Sequence, residues 1–153
     1  SQYRENLTST SISYSSPTYG STSSTFSNGS ANSSINILIE QDKPVARSLD
    51  EFWVPMLSQK WEGLEADGKT YDQFAVAELD RQLRAQHGAI VIWSGEYTSF
   101  FRSDMWVHIV PRKYVTAEEA LNWCRSSNLT RANCGAKFLS HTKNSKGTTA
   151  WLP

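Results

Sequence analysis

The sequence predicts an α+β domain over residues 48–142: a βαββαβ antiparallel sheet with two helices on one face. Three observations predict it. Two segments carry helix-capping signals followed by apolar residues at helical spacing. Four short apolar segments read as strands, and they fall before and after those helices. The two halves that this order creates resemble each other.

The first strand is expected at Phe52 to Leu57 (FWVPML). The first helix follows Thr70-Tyr71-Asp72-Gln73, a capping box in which the Thr hydroxyl accepts the Gln73 amide. Val76, Leu79 and Leu83 then recur on one face, and Gly88 stands where a left-handed stop belongs. Ala89 to Trp93 (AIVIW) and Met105 to Val110 (MWVHIV) read as the second and third strands. Thr116-Ala117-Glu118-Glu119 is another capping box, with Ala117, Ala120, Leu121 and Cys124 as its stripe and Asn128 near its end. Ala136 to Ser140 (AKFLS) is the last strand.

Phe52–Leu57 matches Met105–Val110 in character at all but the fourth place, and each run leads to a T-x-x-[EQ] box. An internal duplication explains this and implies a pseudo-twofold, ferredoxin-like sheet. Pro55 opposes that reading. It has no N–H to give a central strand, so either a bulge sits there or the strand order differs.

Outside the domain, residues 1–47 read as a flexible, disordered linker and residues 143–153 as a C-terminal tail. From Thr8 to Ile35, 17 of 28 residues are Ser or Thr, too polar a stretch to offset the entropy of ordering it. Within the linker, Ile35 to Val45 is a short apolar run, either an extra strand or a docking segment, ended by Pro44. The chain begins at Ser1, as expected of a processed or excised chain, and any signal peptide is expected upstream. No apolar run approaches the ~20 residues of a membrane helix.

The formal net charge is zero, but its distribution is uneven. Residues 36–100 hold 6 Lys/Arg against 11 Asp/Glu, and residues 101–153 hold 8 against 3. This is either scatter on a solvated surface or a basic face aimed at an anionic partner.

Alternation along strands places Val54, Met56, Val107 and Ile109 on one face, which suits the side under the helices. Trp53 and Trp106 then lie on the open face, with Trp93, Tyr97, Phe100 and Phe101 nearby. Such a platform stacks flat or ring-shaped ligands, unless the aromatics form a second small core. The candidate ligand-binding residues are Trp53, Trp106, His108 and Tyr97, with Arg102, Arg112 and Lys113 for anionic groups.

Cys124 and Cys134 are the only cysteines. A disulfide between them would close a short loop worth about 2–3 kcal/mol, whereas a cytosolic chain would keep both as thiols. Their spacing is not that of a zinc knuckle, so no metal is expected. His87 sits at a helix C-terminus, a structural place for an imidazole. No nucleophile elbow, metalloprotease, phosphate-loop or dinucleotide signature occurs, so neither catalysis nor a cofactor is expected.

Several stretches resemble a known family. They are Trp53-Val54-Pro55 with Leu57-Ser58 and Lys60, then Leu64 with Ala66-Asp67-Gly68. Trp93-Ser94-Gly95 follows with Tyr97 and Ser99-Phe100, then Trp106-Val107, Ala120, Asn122-Trp123-Cys124, and Cys134 with Ala136-Lys137-Phe138. The chain resembles actinobacterial extracytoplasmic modules of membrane proteins and lipoproteins, some attached to Ser/Thr protein kinases. Paired cysteines are part of that pattern. The arrangement is also similar to the sporulation-related repeat (SPOR) fold, which binds peptidoglycan glycan on its open sheet face; Met105-Trp106 departs from the Phe-Trp expected there. The resemblance implies a non-catalytic binding or sensor module at the cell surface or wall. The alternative is an assembly subunit that buries the same face against a protein partner or a second copy. A cytosolic nucleic-acid binder is the least favoured reading.

Overall fold

The computed structural model describes residues 27–153, with side chains from Ser34 onward. Helix α1 spans Ser27–Arg47. Strand β1 (Trp53–Trp61) leads into a small hairpin, β2 (Glu65–Ala66) and β3 (Lys69–Thr70). Helix α2 (Gln73–His87), β4 (Ile90–Trp93), β5 (Met105–Ile109), helix α3 (Ala117–Ser126), β6 (Gly135–Phe138) and β7 (Thr149–Trp151) complete the chain. The molecule is α+β. Five strands form one antiparallel sheet in the order β4-β5-β1-β6-β7.

The local signals act through backbone chemistry. Thr116 accepts the Glu119 amide while Glu119 reaches back, so this capping box forms as expected. At α2 the cap differs from expectation: Asp72, not Thr70, accepts from Ala75 N–H. An ionised carboxylate two residues closer to the stripe is a stronger acceptor for the first free amides. Gly88 ends α2 at φ 67, a conformation a side chain would strain.

The linker boundary needs correction. Residues 27–47 are helical, and Ile35, Ile39, Asp42, Ala46 and Leu49 form the buried stripe. Asp42 and Pro44 hid that stripe in the sequence; Pro44 is exposed, on the side away from the packing. The expected disorder of residues 1–26 lies outside the described residues. The expected C-terminal tail is also partly structured, because β7 pairs with β6 through Gly135↔Trp151 and Lys137↔Thr149.

Pro55 sits in central strand β1 at the point where β5 leaves the ladder. Its carbonyl accepts Val110 N–H, residues 110–113 bulge outward, and Trp53 and Tyr114 then pair again. A bulge at Leu57 follows, between the pairs Met56↔Ile109 and Ser58↔His108. Pro55 has no N–H to return the bond to Val110, and the Val110 carbonyl accepts Arg112 N–H instead.

The sheet is buried on both sides, so β5 has no exposed residue. Trp53 and Trp106 do share a face, but it is the face under the helices. Trp106 packs with Val76 of α2 and Ile35 of α1, while Trp53 joins the cluster of Leu121 and Cys124 of α3. Val54, Met56, Val107 and Ile109 lie on the opposite face, covered by Ala46, Leu49, Phe100 and Leu139. The reason is polar. His108 shares the Trp106 face; α2 carries Asp80 one turn beyond Val76 to meet it, and Arg84 one turn further on to bond Asp80. A buried imidazole in an apolar strand needs such a partner.

Candidate functional site

Trp93 ends β4 and stands opposite Trp106 on β5. Their rings meet edge to face, centroids 6.0 Å apart, a favourable aromatic geometry. Trp106 is buried and Trp93 half-buried, so Trp93 presents the usable surface. Helix α1 crosses beside them because Ile35 and Ile39 pack on the Trp106 cluster while Ala46 and Leu49 pack on the far face. A cleft of about 430 Å³ remains between α1 and the strand ends. Trp93 and Trp106 floor it, and Asn36, Glu40, Gln73 and Glu96 supply its polar rim.

A second cleft of about 120 Å³ adjoins it and shares Ile39, Trp93 and Glu96. Lys43 stands between them, 2.8 Å from Glu40 and 2.9 Å from Glu96. Those hydrogen bonds hold the ammonium above its ordinary range. Beyond it, Tyr97 stacks on His141 with centroids 4.7 Å apart, and His141 Nε2 lies 3.1 Å from Asp50 Oδ2. Burial, with the negative charge of Asp50 second, pushes the Tyr97 phenol up, so it stays a neutral donor at physiological pH. Asp50 Oδ1 is buried without a partner among the described residues.

The expected site residues do not form one platform. Trp106 and Tyr97 line adjoining parts of the α1 cleft. Trp53 lies elsewhere on the sheet, 5.5 Å from the Phe138 ring. His108 is fully buried: Nε2 is 2.9 Å from Asp80 Oδ1, and Nδ1 has no partner among the described residues. It contacts no ligand surface. Arg102 forks onto Asp104 and covers the Trp61 ring at 4.2 Å. Lys113 covers Phe52 at 4.9 Å, and Arg112 is exposed on the same loop. These cations sit apart from the cleft, so they form no common anion site with its aromatic floor.

The cleft residues that sequence reasoning missed come mostly from α1. Asn36 and Glu40 lay in what read as linker, and Gln73 was read only as a cap residue. Trp93 carried a signal, an aromatic closing an apolar strand before a tight turn, but its pairing partner was not legible.

Cys124 and Cys134 form a disulfide that ties α3 to the start of β6, with Cα atoms 5.9 Å apart. The bond is compatible with an oxidising compartment. No helix among the described residues is long and apolar enough to cross a membrane. Among the described residues, no group of His, Cys, Asp and Glu side chains is placed to hold a metal ion. Comparison with known proteins finds no family model, no curated protein and no solved structure that matches the chain.

Proposed function

We propose that the chain is a non-catalytic extracytoplasmic binding or sensor module whose α1 cleft takes a sugar ring of a cell-wall glycan. The carrying observation is the half-buried Trp93, backed edge-on by Trp106 and rimmed by Asn36, Glu40, Gln73 and Glu96. An indole face stacks on the apolar face of a sugar, and short amide and carboxylate groups hydrogen-bond its hydroxyls. Around the two clefts Glu40, Glu96 and Asp50 stand against Lys43 and Arg47, a near balance that suits an uncharged ring. On this reading the β1-α2-β4-β5-α3-β6 core is a ferredoxin-like, SPOR-like unit, to which α1, the hairpin and β7 are additions. Its glycan site then differs from an open sheet face, because the sheet here is covered on both sides. The module would be secreted, wall-associated or surface-held, as the resemblance to actinobacterial modules implies.

Tryptophan fluorescence during titration with peptidoglycan glycan fragments tests this. Saturable quenching is expected, and Trp93→Ala should weaken binding about tenfold, the loss of roughly 1.4 kcal/mol. No response from the wild type, or an unchanged affinity in the variant, rejects the cleft as a sugar site.

A further inference from the structure

α1 is attached to the sheet in a different way from the other two helices. α2 is tethered at both ends, entering from the hairpin and leaving through Gly88 into β4. α3 is fastened to β6 by the Cys124–Cys134 disulfide. Among the described residues, α1 is tethered only at its C-terminal end, through the turn at 48–52. That turn pivots on Glu51, whose φ of 65 is a left-handed backbone that a glutamate adopts at a cost. α1 lies along the outer edge of β4, where Asp42 accepts Val91 N–H at 3.0 Å. Its departure would leave every ladder bond of the five-stranded sheet in place.

The polar fastenings of α1 are charged. Asp42, fully buried, meets the Arg84 guanidinium at 2.9 Å, and Lys43 meets Glu96 at 2.9 Å. Burial strips the first pair of its hydration, which offsets much of the Coulomb attraction. Undocking restores that hydration, and Arg84 keeps Asp80 as a partner. The second pair is part-exposed and contributes little. The hold on α1 therefore falls mainly to Ile35, Ile39 and Ala46, an apolar contact interrupted by the two clefts. α1 also forms one wall of each cleft. It supplies Asn36, Ile39 and Glu40 to the larger and Ile39, Lys43 and Arg47 to the smaller, against Trp93 and Glu96 of the sheet side. Both clefts exist only while α1 is docked.

We propose that α1 is a detachable strap: it undocks from β4 as a unit while the sheet stays folded, and occupancy of the cleft clamps it in place. A ligand that needs both walls binds the docked state alone, so it shifts the equilibrium toward docking. By the same coupling, undocking weakens the ligand. Cleft occupancy is in this way transmitted to the N-terminal end of the domain. Clamping by a sugar rests on the glycan reading of the cleft; the strap itself does not.

Amide exchange of the full chain without ligand, at graded low urea, tests the strap. After correction for intrinsic rates, the α1 amides and Val91 should share one opening constant, at least tenfold larger than that of the β5 amides. It should also rise less steeply with urea, because undocking exposes less surface than unfolding. D42N keeps the side-chain shape and removes the charge, and should raise the shared constant by about tenfold to a hundredfold. One opening constant and one urea slope for α1, Val91 and β5 would overturn the proposal. So would α1 amides that exchange while Val91 stays at the β5 value, which is fraying rather than undocking. Peptidoglycan glycan fragments supply the second arm and should lower the α1 and Val91 constants as the cleft fills. Tryptophan quenching with protection of β5 alone overturns the clamp, since the ligand then binds docked and undocked chains alike. Neither quenching nor protection rejects the glycan reading, and the ligand-free constants still decide the strap.

Discussion

Two buried charges lie on opposite faces of the sheet, and their surroundings differ. Arg84 forks onto Asp80 at 3.0 and 2.8 Å and onto Asp42 at 3.3 and 2.9 Å. Burial opposes its charge, but the carboxylates outweigh burial and hold the guanidinium above its ordinary range. Burial would raise the Asp80 carboxyl, yet hydrogen bonds from His108 and Arg84 hold it below. Lys137 faces the other way, in register with Val54, and is equally hidden. Its three protons go to neutral oxygens, the Ser99 carbonyl and the hydroxyls of Thr148 and Thr149, and Phe100 covers it at 4.6 Å. With no carboxylate bonded to it, burial lowers its pKa to about 8. One charge is locked on by counter-charges that also fasten α1 to α2. The other is held by geometry alone and sits near its titration point.

Removing each cation therefore leaves different things behind. Arg84→Met strands two buried carboxylates, and a loss of about 3–5 kcal/mol in urea unfolding is expected. Lys137→Met leaves only hydroxyls and a carbonyl. Thr148 Oγ1 already has the Ser99 and Ser145 carbonyls as partners, so about 1–2 kcal/mol is expected. Equal losses would break the contrast between the two faces. The Arg84 variant should also release α1, seen as faster exchange at the Val91 amide.

This contrast also marks what the sequence could reveal. Strands, the α3 cap, the Gly88 stop and the pairing of the two half-domain tryptophans on one face follow from local chemistry, so they were legible. Which face the helices cover was not. Both faces of β1 and β5 are apolar enough to be buried, and apolar alternation cannot rank them. His108, Asp80 and Arg84 decide the matter. Asp80 and Arg84 lie four residues apart and so share a helix face, but nothing in the sequence showed that this face turns inward. Lys137 was hidden for a related reason. Its oxygen partners come from residues 99 and 148–149, a loop and a segment that read as a tail. Half of the candidate cleft vanished from view in the same way, because Asp42 and Pro44 interrupt the α1 stripe that carries Asn36 and Glu40.

Alkaline titration sharpens the comparison. The folded Lys137 releases its proton near pH 8, and an unfolded lysine does so near its ordinary value of 10.5. Between those limits the unfolded chain binds more protons, so stability rises with pH. From about pH 8 to 10 the wild type should gain on the order of 2 kcal/mol relative to Lys137→Met. Tyr71 and Tyr97 act in the opposite sense, since their raised values lower stability above about pH 10. Both proteins carry them, so the difference isolates the lysine. A flat difference across this range would mean that the folded ammonium is as well solvated as the unfolded one.

The smallest expected effect probes how the lysine is held. Thr149 Oγ1 accepts one of its three hydrogen bonds from the edge strand β7, at 2.9 Å. Thr149→Val keeps the β-branched shape and the backbone pairing with Lys137 while removing that acceptor. The ammonium then lacks one partner inside the fold, whereas the neutral amine needs fewer. A loss of about 1 kcal/mol at pH 7 is expected in urea unfolding, shrinking toward zero as pH passes the folded titration point. A loss that stays constant with pH would show that the hydroxyl serves the packing of β7 rather than the charge beneath it.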